Sequence, residues 1–146
     1  MSFLEENIVT FHAEASDAEE AIRISGDLLM KGGYATKEYK EAMIASYKQN
    51  GPYFVIAPGI AIPHARPEDG ALASAVSFVQ LATPVEFGSQ PNDPVKFIFG
   101  LSAADGEEHV RTIQKIVKFL KAENNMEQLN NIQTYEELEL LKEKEI

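Results

Sequence analysis

The sequence contains no cysteine, so disulfides, CxxC metal sites and thiol catalysis lie outside its chemistry. Basic residues are also scarce: 13 Lys and Arg stand against 23 Asp and Glu, giving a net charge of −10. A nucleic-acid binder needs clustered Lys and Arg for its phosphate contacts, so that class is disfavoured. The acidic balance instead suits a protein that meets basic partners. No apolar run approaches the length of a membrane span. The N-terminal stretch MSFLEENIVTFHAEASDAEE is acidic and has no basic segment leading into an apolar one, so it does not read as a secretory signal. A cytoplasmic protein without direct membrane insertion is the expectation.

What remains is an ordinary globular composition. The 146 residues are 45% hydrophobic and 25% charged, which suits a single domain over residues 1–146. No repeat, low-complexity segment or dividing linker is visible. Helical and strand-like runs alternate. Ser16 and Glu19 form an S-x-x-E capping box ahead of Ala18, Ala21, Ile22, Leu28 and Leu29, and Gly32-Gly33 stops that helix. Thr36 caps a second helix with Tyr39, Ala42, Met43 and Tyr47 on its apolar face, ended by Asn50-Gly51.

Strand candidates are NIVTF (7–11), VIA (55–57), IAI (60–62), AVSFVQL (75–81), a short VEF (85–87) and VKFIFGL (95–101). Asp105 with Glu108 caps a third helix whose inward face carries His109, Ile113, Ile116 and Leu120. Asn125 and Thr134 begin two further short helices, the latter with a Thr134/Glu137 box. The order, roughly β-α-α-β-β-β-α-α-α, predicts an α/β fold: one mixed sheet flanked by helices on both faces.

The histidines hold the chemical interest, because there are only three. His12, in FHAEAS, reads as a surface or half-buried side chain. His109 lies in the first turn of its helix, on the face with Ile113 and Ile116. A core histidine is one reading of it. The other follows from its place at a helix N-terminus, where free N–H groups and partial positive charge favour a neutral imidazole and attract an anion. His64, in IAIPHARP (60–67), stands between two prolines. Pro63 removes a backbone donor and fixes one dihedral, and Pro67 blocks a helix. A strand ending in a stiff turn would display His64, with Ala61 and Ala65 leaving room for another surface.

Three chemistries could use His64 and His109. A metal site lacks support, since Glu68, Asp69, Asp105, Glu107 and Glu108 show no HExxH-like spacing. A serine hydrolase would need a G-x-S-x-G elbow, which is absent. A covalent phosphate carrier needs an exposed neutral imidazole on rigid backbone, a second donor and a helix N-terminus, and the sequence offers all three.

GPYFVIAPGIAIPHARPEDG (51–70) resembles the phosphorylation motif of the enzyme IIA domains of the bacterial sugar phosphotransferase system (PTS), in the fructose–mannitol superfamily, and is most similar to the L-ascorbate branch. AADGEEHVRTIQKIVKFL (103–120) resembles the second histidine segment of that family, with NDPV (92–95) as weaker support. The resemblance implies a PTS IIA type-2 fold over the whole chain and a relay without metal or organic cofactor. The phosphocarrier protein HPr would phosphorylate His64, and a cysteine of enzyme IIB would take the group on, serving the membrane enzyme IIC. His109 would match the residue that stabilises the phosphoryl group.

The resemblance implies that fructose- and mannitol-type members usually carry an arginine on the helix before the motif. The window MIASYKQN (43–50) has none, which favours the ascorbate branch and leaves Lys48 or Arg66 as candidate counter-charges. A regulatory phospho-acceptor, charged by the same relay but controlling a bound partner, is the alternative.

Overall fold

The long apolar runs at 75–81 and 95–101 are explained by a sheet covered on both sides. The computed structural model describes residues 1–143. Strands β1 (Ser2–Phe3), β2 (Val9–Ala13), β3 (Val55–Ala57), β4 (Ile60–Ala61), β5 (Ala75–Val85) and β6 (Val95–Ser102) form one six-stranded mixed sheet. Their order is β1-β5-β6-β4-β3, with β2 also paired to β5. The central β5 and β6 are antiparallel, aligning Phe78 with Phe99 and Val79 with Ile98. Strands β1 and β2 run parallel to β5, β4 runs parallel to β6, and β3 is antiparallel to β4.

Successive side chains of a strand point to opposite faces. Val79, Leu81 and Ile98 therefore pack with Ile22 and Leu29 of α1 (Ala18–Lys31) and with Tyr39 and Met43 of α2 (Lys37–Asn50). Val76, Phe78, Phe99 and Leu101 face the other way. They meet Ile116 and Phe119 of α3 (Gly106–Lys121), then Leu129, which follows α4 (Asn125–Gln128), and Leu138 of α5 (Tyr135–Glu143). Buried Gln80 ties the C-terminal segment to β5 by donating to the carbonyls of Leu129 at 3.0 Å and Ile132 at 2.8 Å. This is the mixed sheet with helices on both faces that the sequence predicts. Among the described residues, no helix is long and apolar enough to cross a membrane.

The helix starts follow local chemistry. Thr36 accepts from the Tyr39 amide, Asp105 from the Glu108 amide, and Thr134 and Glu137 bond each other's amides. The first box is shifted by one residue: Asp17 caps α1 by accepting from the Glu20 amide, while Ser16 bonds Glu20 rather than Glu19. Glu19 instead reaches Lys48 of α2.

Three strand expectations change. VEF is not a separate strand, because β5 continues through a register irregularity after Gln80 and ends at Val85. Asn7 and Ile8 form a short 3-10 turn rather than the start of β2. The two-residue β1, too short for any periodicity, was invisible in the sequence.

Gly100 lets α1 lie close on β6. A Cβ there would stand 2.6 Å from Ser77 Oγ and 2.9 Å from Ser25 Cβ. Overpacking of this kind costs about 1–3 kcal/mol. Gly100→Ala should therefore lower the urea midpoint with an unchanged m-value; an unchanged midpoint would show that helix and sheet separate freely.

Candidate functional site

The hairpin of β3 and β4 turns at Pro58-Gly59, where Gly59 takes a left-handed φ of 77°. Strand β4 then runs beside β6 in the register Ile60↔Phe97 and Ala61↔Ile98. Carried forward, that register sets Ile62 beside Phe99 and His64 beside Leu101. Pro63 has no N–H for the rung that Phe99 would accept, so the regular strand stops before it. The chain nevertheless stays attached, because the Leu101 amide donates to the Pro63 carbonyl at 3.1 Å.

His64 is thereby presented, half-buried, at the end of β4. Its Nδ1 lies 2.8 Å from the Ile62 carbonyl. A carbonyl can only accept, so Nδ1 carries the proton and Nε2 keeps the lone pair. Burial lowers the His64 pKa, and His109 adds to that effect, against the opposing hydrogen bond to Ile62.

His109 comes from the first turn of α3, whose N-cap is Asp105. Its ring meets that of His64 edge-on, with centroids 4.9 Å apart. Burial lowers its pKa as well. Its Nδ1 is buried and makes no hydrogen bond. The helix buries Ile116 and Leu120 as expected, with Thr112 and Phe119 beside them, and half-buried Ile113 packs on the same core. His109, at the start of that face, is half-buried at the border between the core and a cavity.

The cavity, of about 610 Å³, is lined by both histidines, Gly106 at the start of α3, Ser46 and Gln49 of α2, and Tyr53 just beyond it. The Tyr53 ring packs edge-on to His64 at 5.7 Å, and its hydroxyl lies 3.0 Å from Ser46 Oγ. Beneath them is Tyr39, fully buried. Its hydroxyl accepts from the Ala65 amide at 3.1 Å and directs its one proton to the Leu101 carbonyl at 2.6 Å, with the Ala65 carbonyl farther off at 3.2 Å. Burial pushes this phenol up to about 12, so it stays protonated.

Of the two candidate counter-charges, one lies at the site. Arg66 lines the cavity, as alternation from His64 implies, but its exposed guanidinium pairs with Asp69 at 3.2 Å. Lys48 does not line it; its ammonium is 3.3 Å from Glu19, off the α2 stripe formed by Ala42, Ser46 and Gln49. His12 is exposed on β2 and is no part of the site. Sequence reading missed Ser46, Gln49 and Tyr53, whose small or polar side chains recur along one side of α2 and just beyond it. It also placed Tyr39 on the apolar face without foreseeing its polar contacts.

Two neutral imidazoles, one with a fixed lone pair, beside a helix start and uncharged donors, suit a nitrogen nucleophile that holds an anion. The comparisons point the same way. The model of the phosphoenolpyruvate-dependent sugar phosphotransferase system EIIA 2 family matches residues 2–144, and the chain belongs to that family. It is therefore a phosphotransferase component. It is 38% identical to the ascorbate-specific PTS system EIIA component of Salmonella choleraesuis (strain SC-B67), over 94% of this chain and 90% of that one. The proposed PTS IIA (PtxA) of Streptococcus mutans superposes with a TM-score of 0.88 at 33% identity, covering 96% of this chain and 90% of that one. The complex of mannitol enzyme IIA with phosphorylated enzyme IIB from Escherichia coli gives 0.83 at 30% identity, covering 97% and 98%.

The depressed histidine pKa values have a direction that can be measured. A buried neutral imidazole binds fewer protons than its unfolded counterpart below the ordinary value of 6.5, so its contribution to stability is present above that pH and is lost as pH falls. NMR titration should place both midpoints below 6.5, and the urea midpoint should fall on acidification from neutral pH. A His64 midpoint at or above the ordinary value would contradict the burial described for its ring.

Proposed function

We propose that this chain is the EIIA component of an ascorbate-type PTS, a cytoplasmic phosphoryl carrier acting between HPr and enzyme IIB, and through IIB with the membrane enzyme IIC. The observation that carries this reading is the His64–His109 pair, with His64 Nδ1–H held by the Ile62 carbonyl.

In the accepting step, the Nε2 lone pair of His64 attacks the phosphorus of the phosphohistidine on HPr. The donor's N–P bond breaks and its electron pair returns to the donor imidazole. The new phosphoimidazolium keeps its Nδ1 proton on the Ile62 carbonyl. In the onward step a cysteine thiolate of IIB attacks the same phosphorus, the N–P bond breaks, and His64 returns to the neutral ring.

The buried Nδ1 of His109 turns its Nε2 edge to the cavity, from which it donates to a phosphoryl oxygen. Positioning and electrostatics supply the catalysis, since no acid or base need be regenerated. The ascorbate assignment draws on the Salmonella relative and on the absence of arginine from residues 43–50. An enzyme IIB partner draws support from the mannitol complex.

Incubation with enzyme I, HPr and labelled phosphoenolpyruvate should place acid-labile label on the protein, and His64→Ala should abolish it. Label retained in that variant would remove His64 from its role. His109→Ala should still accept label but transfer it to IIB more slowly by about 10²-fold, the usual cost of one oxyanion donor. Unimpaired onward transfer would exclude His109. Deletion of the gene should abolish ascorbate uptake, and a different sugar phenotype would reassign the substrate.

A further inference from the structure

The structure assigns Tyr39 a positioning role: its hydroxyl is inserted as a rung between the end of β4 and β6 and thereby sets where His64 stands. This deepens the proposed function and rests on it.

In a parallel ladder, the residue opposite His64 donates its amide to the residue before His64 and accepts from the amide of the residue after it. Leu101 makes the first of these bonds directly, to the Pro63 carbonyl at 3.1 Å. It does not make the second directly. The Ala65 amide donates to Tyr39 Oη at 3.1 Å, and the same hydroxyl donates to the Leu101 carbonyl at 2.6 Å. One oxygen therefore occupies the place where two backbone groups would otherwise meet. The strand end is held open from the sheet by the width of that oxygen while its hydrogen bonding stays complete.

His64 lies between the direct rung and the widened one. The angle at which the chain leaves β6 therefore sets two things: whether Nδ1 reaches back to the Ile62 carbonyl, and how the ring meets His109 at 4.9 Å. Tyr39 touches neither imidazole in these interactions and would not touch the phosphoryl group. It acts through the backbone. Without the hydroxyl, the Ala65 amide and the Leu101 carbonyl are buried and unpaired, and they satisfy each other only if the chain closes onto β6. That movement draws His64 away from its fixed tautomer and from its neighbour. A misplacement of about 1 Å costs up to about 10²-fold in rate.

Tyr39→Phe removes the rung and keeps the ring in the core. Two readouts separate positioning from bulk stability. The first is the ¹⁵N spectrum of the unphosphorylated histidines. The wild type should show His64 as the Nδ1–H tautomer alone, and the variant a mixture. The second is phosphoryl transfer from phospho-HPr, where kcat should fall by about 10- to 100-fold with KM within about twofold, because the docking surface is untouched. 3-Fluorotyrosine at position 39, which keeps the hydroxyl, should restore both.

If Tyr39→Phe does not fold, incorporating lactic acid at position 65 replaces the Ala65 amide with an ester. That removes the same N–H and leaves Tyr39 in place; the same two changes are expected. A folded variant with a lower melting temperature but a single tautomer and an unchanged kcat would overturn the proposal. If the wild-type protein accepts no phosphoryl group, the proposed function falls, while the tautomer comparison still decides the place of Tyr39.

Discussion

The hydrogen bond from the Leu101 amide to the Pro63 carbonyl is the contact on which the site depends. It joins the reactive segment to β6 after Pro63 has ended the regular ladder. Together with the Tyr39 bridge from the Ala65 amide to the Leu101 carbonyl, it holds residues 62–66 along β6. With it, the backbone beside His64 belongs to the most deeply buried part of the molecule, since Leu101 and Phe99 are fully covered. The precision of the imidazole is borrowed from the hydrophobic core. Anything that moves β6 against its helices, such as crowding at Gly100, reaches the site one residue later along the strand.

The electrostatics follow from the same geometry. Burial disfavours the cationic form of both rings, and each is held by a different element: His64 by the strand end and His109 by a helix start. A pair of cationic rings at this separation would repel, so neutrality is what allows their close approach. Around them the cavity offers hydroxyl and amide groups, while its arginine is already engaged by Asp69. In the proposed function an anion here would be held by oriented neutral dipoles more than by net charge, which accords with a chain of strongly acidic composition.

Local signals in the sequence were accurate where a few adjacent residues decide the outcome. Thr36, Asp105 and the Thr134/Glu137 pair cap the helices expected of them, because a cap is an interaction across three residues. The same reasoning slipped by one position at Ser16, where neighbouring Asp17 competes for the helix start. His64 and His109 stood out for a related reason: each is flanked by residues that dictate its backbone.

Distant relations were not legible. Tyr39 bonds Ala65 and Leu101 across 26 and 62 positions, and nothing in its own neighbourhood marks it as other than apolar. Lys48 pairs with Glu19 of another helix rather than lining the cavity, a relation that spacing along its own helix does not show. Strand β1 has only two residues and exists because β5 offers an edge.

The outer strand of the reactive end, β3, spans only Val55–Ala57 and lies between Pro52 and Pro58. An open strand edge invites pairing with another chain, and short length with flanking proline is how proteins blunt it. In the proposed function His64 must stay open to successive partners, so this end of the sheet cannot be buried. The brevity of β3 leaves that face open for the proposed docking without offering a template for aggregation.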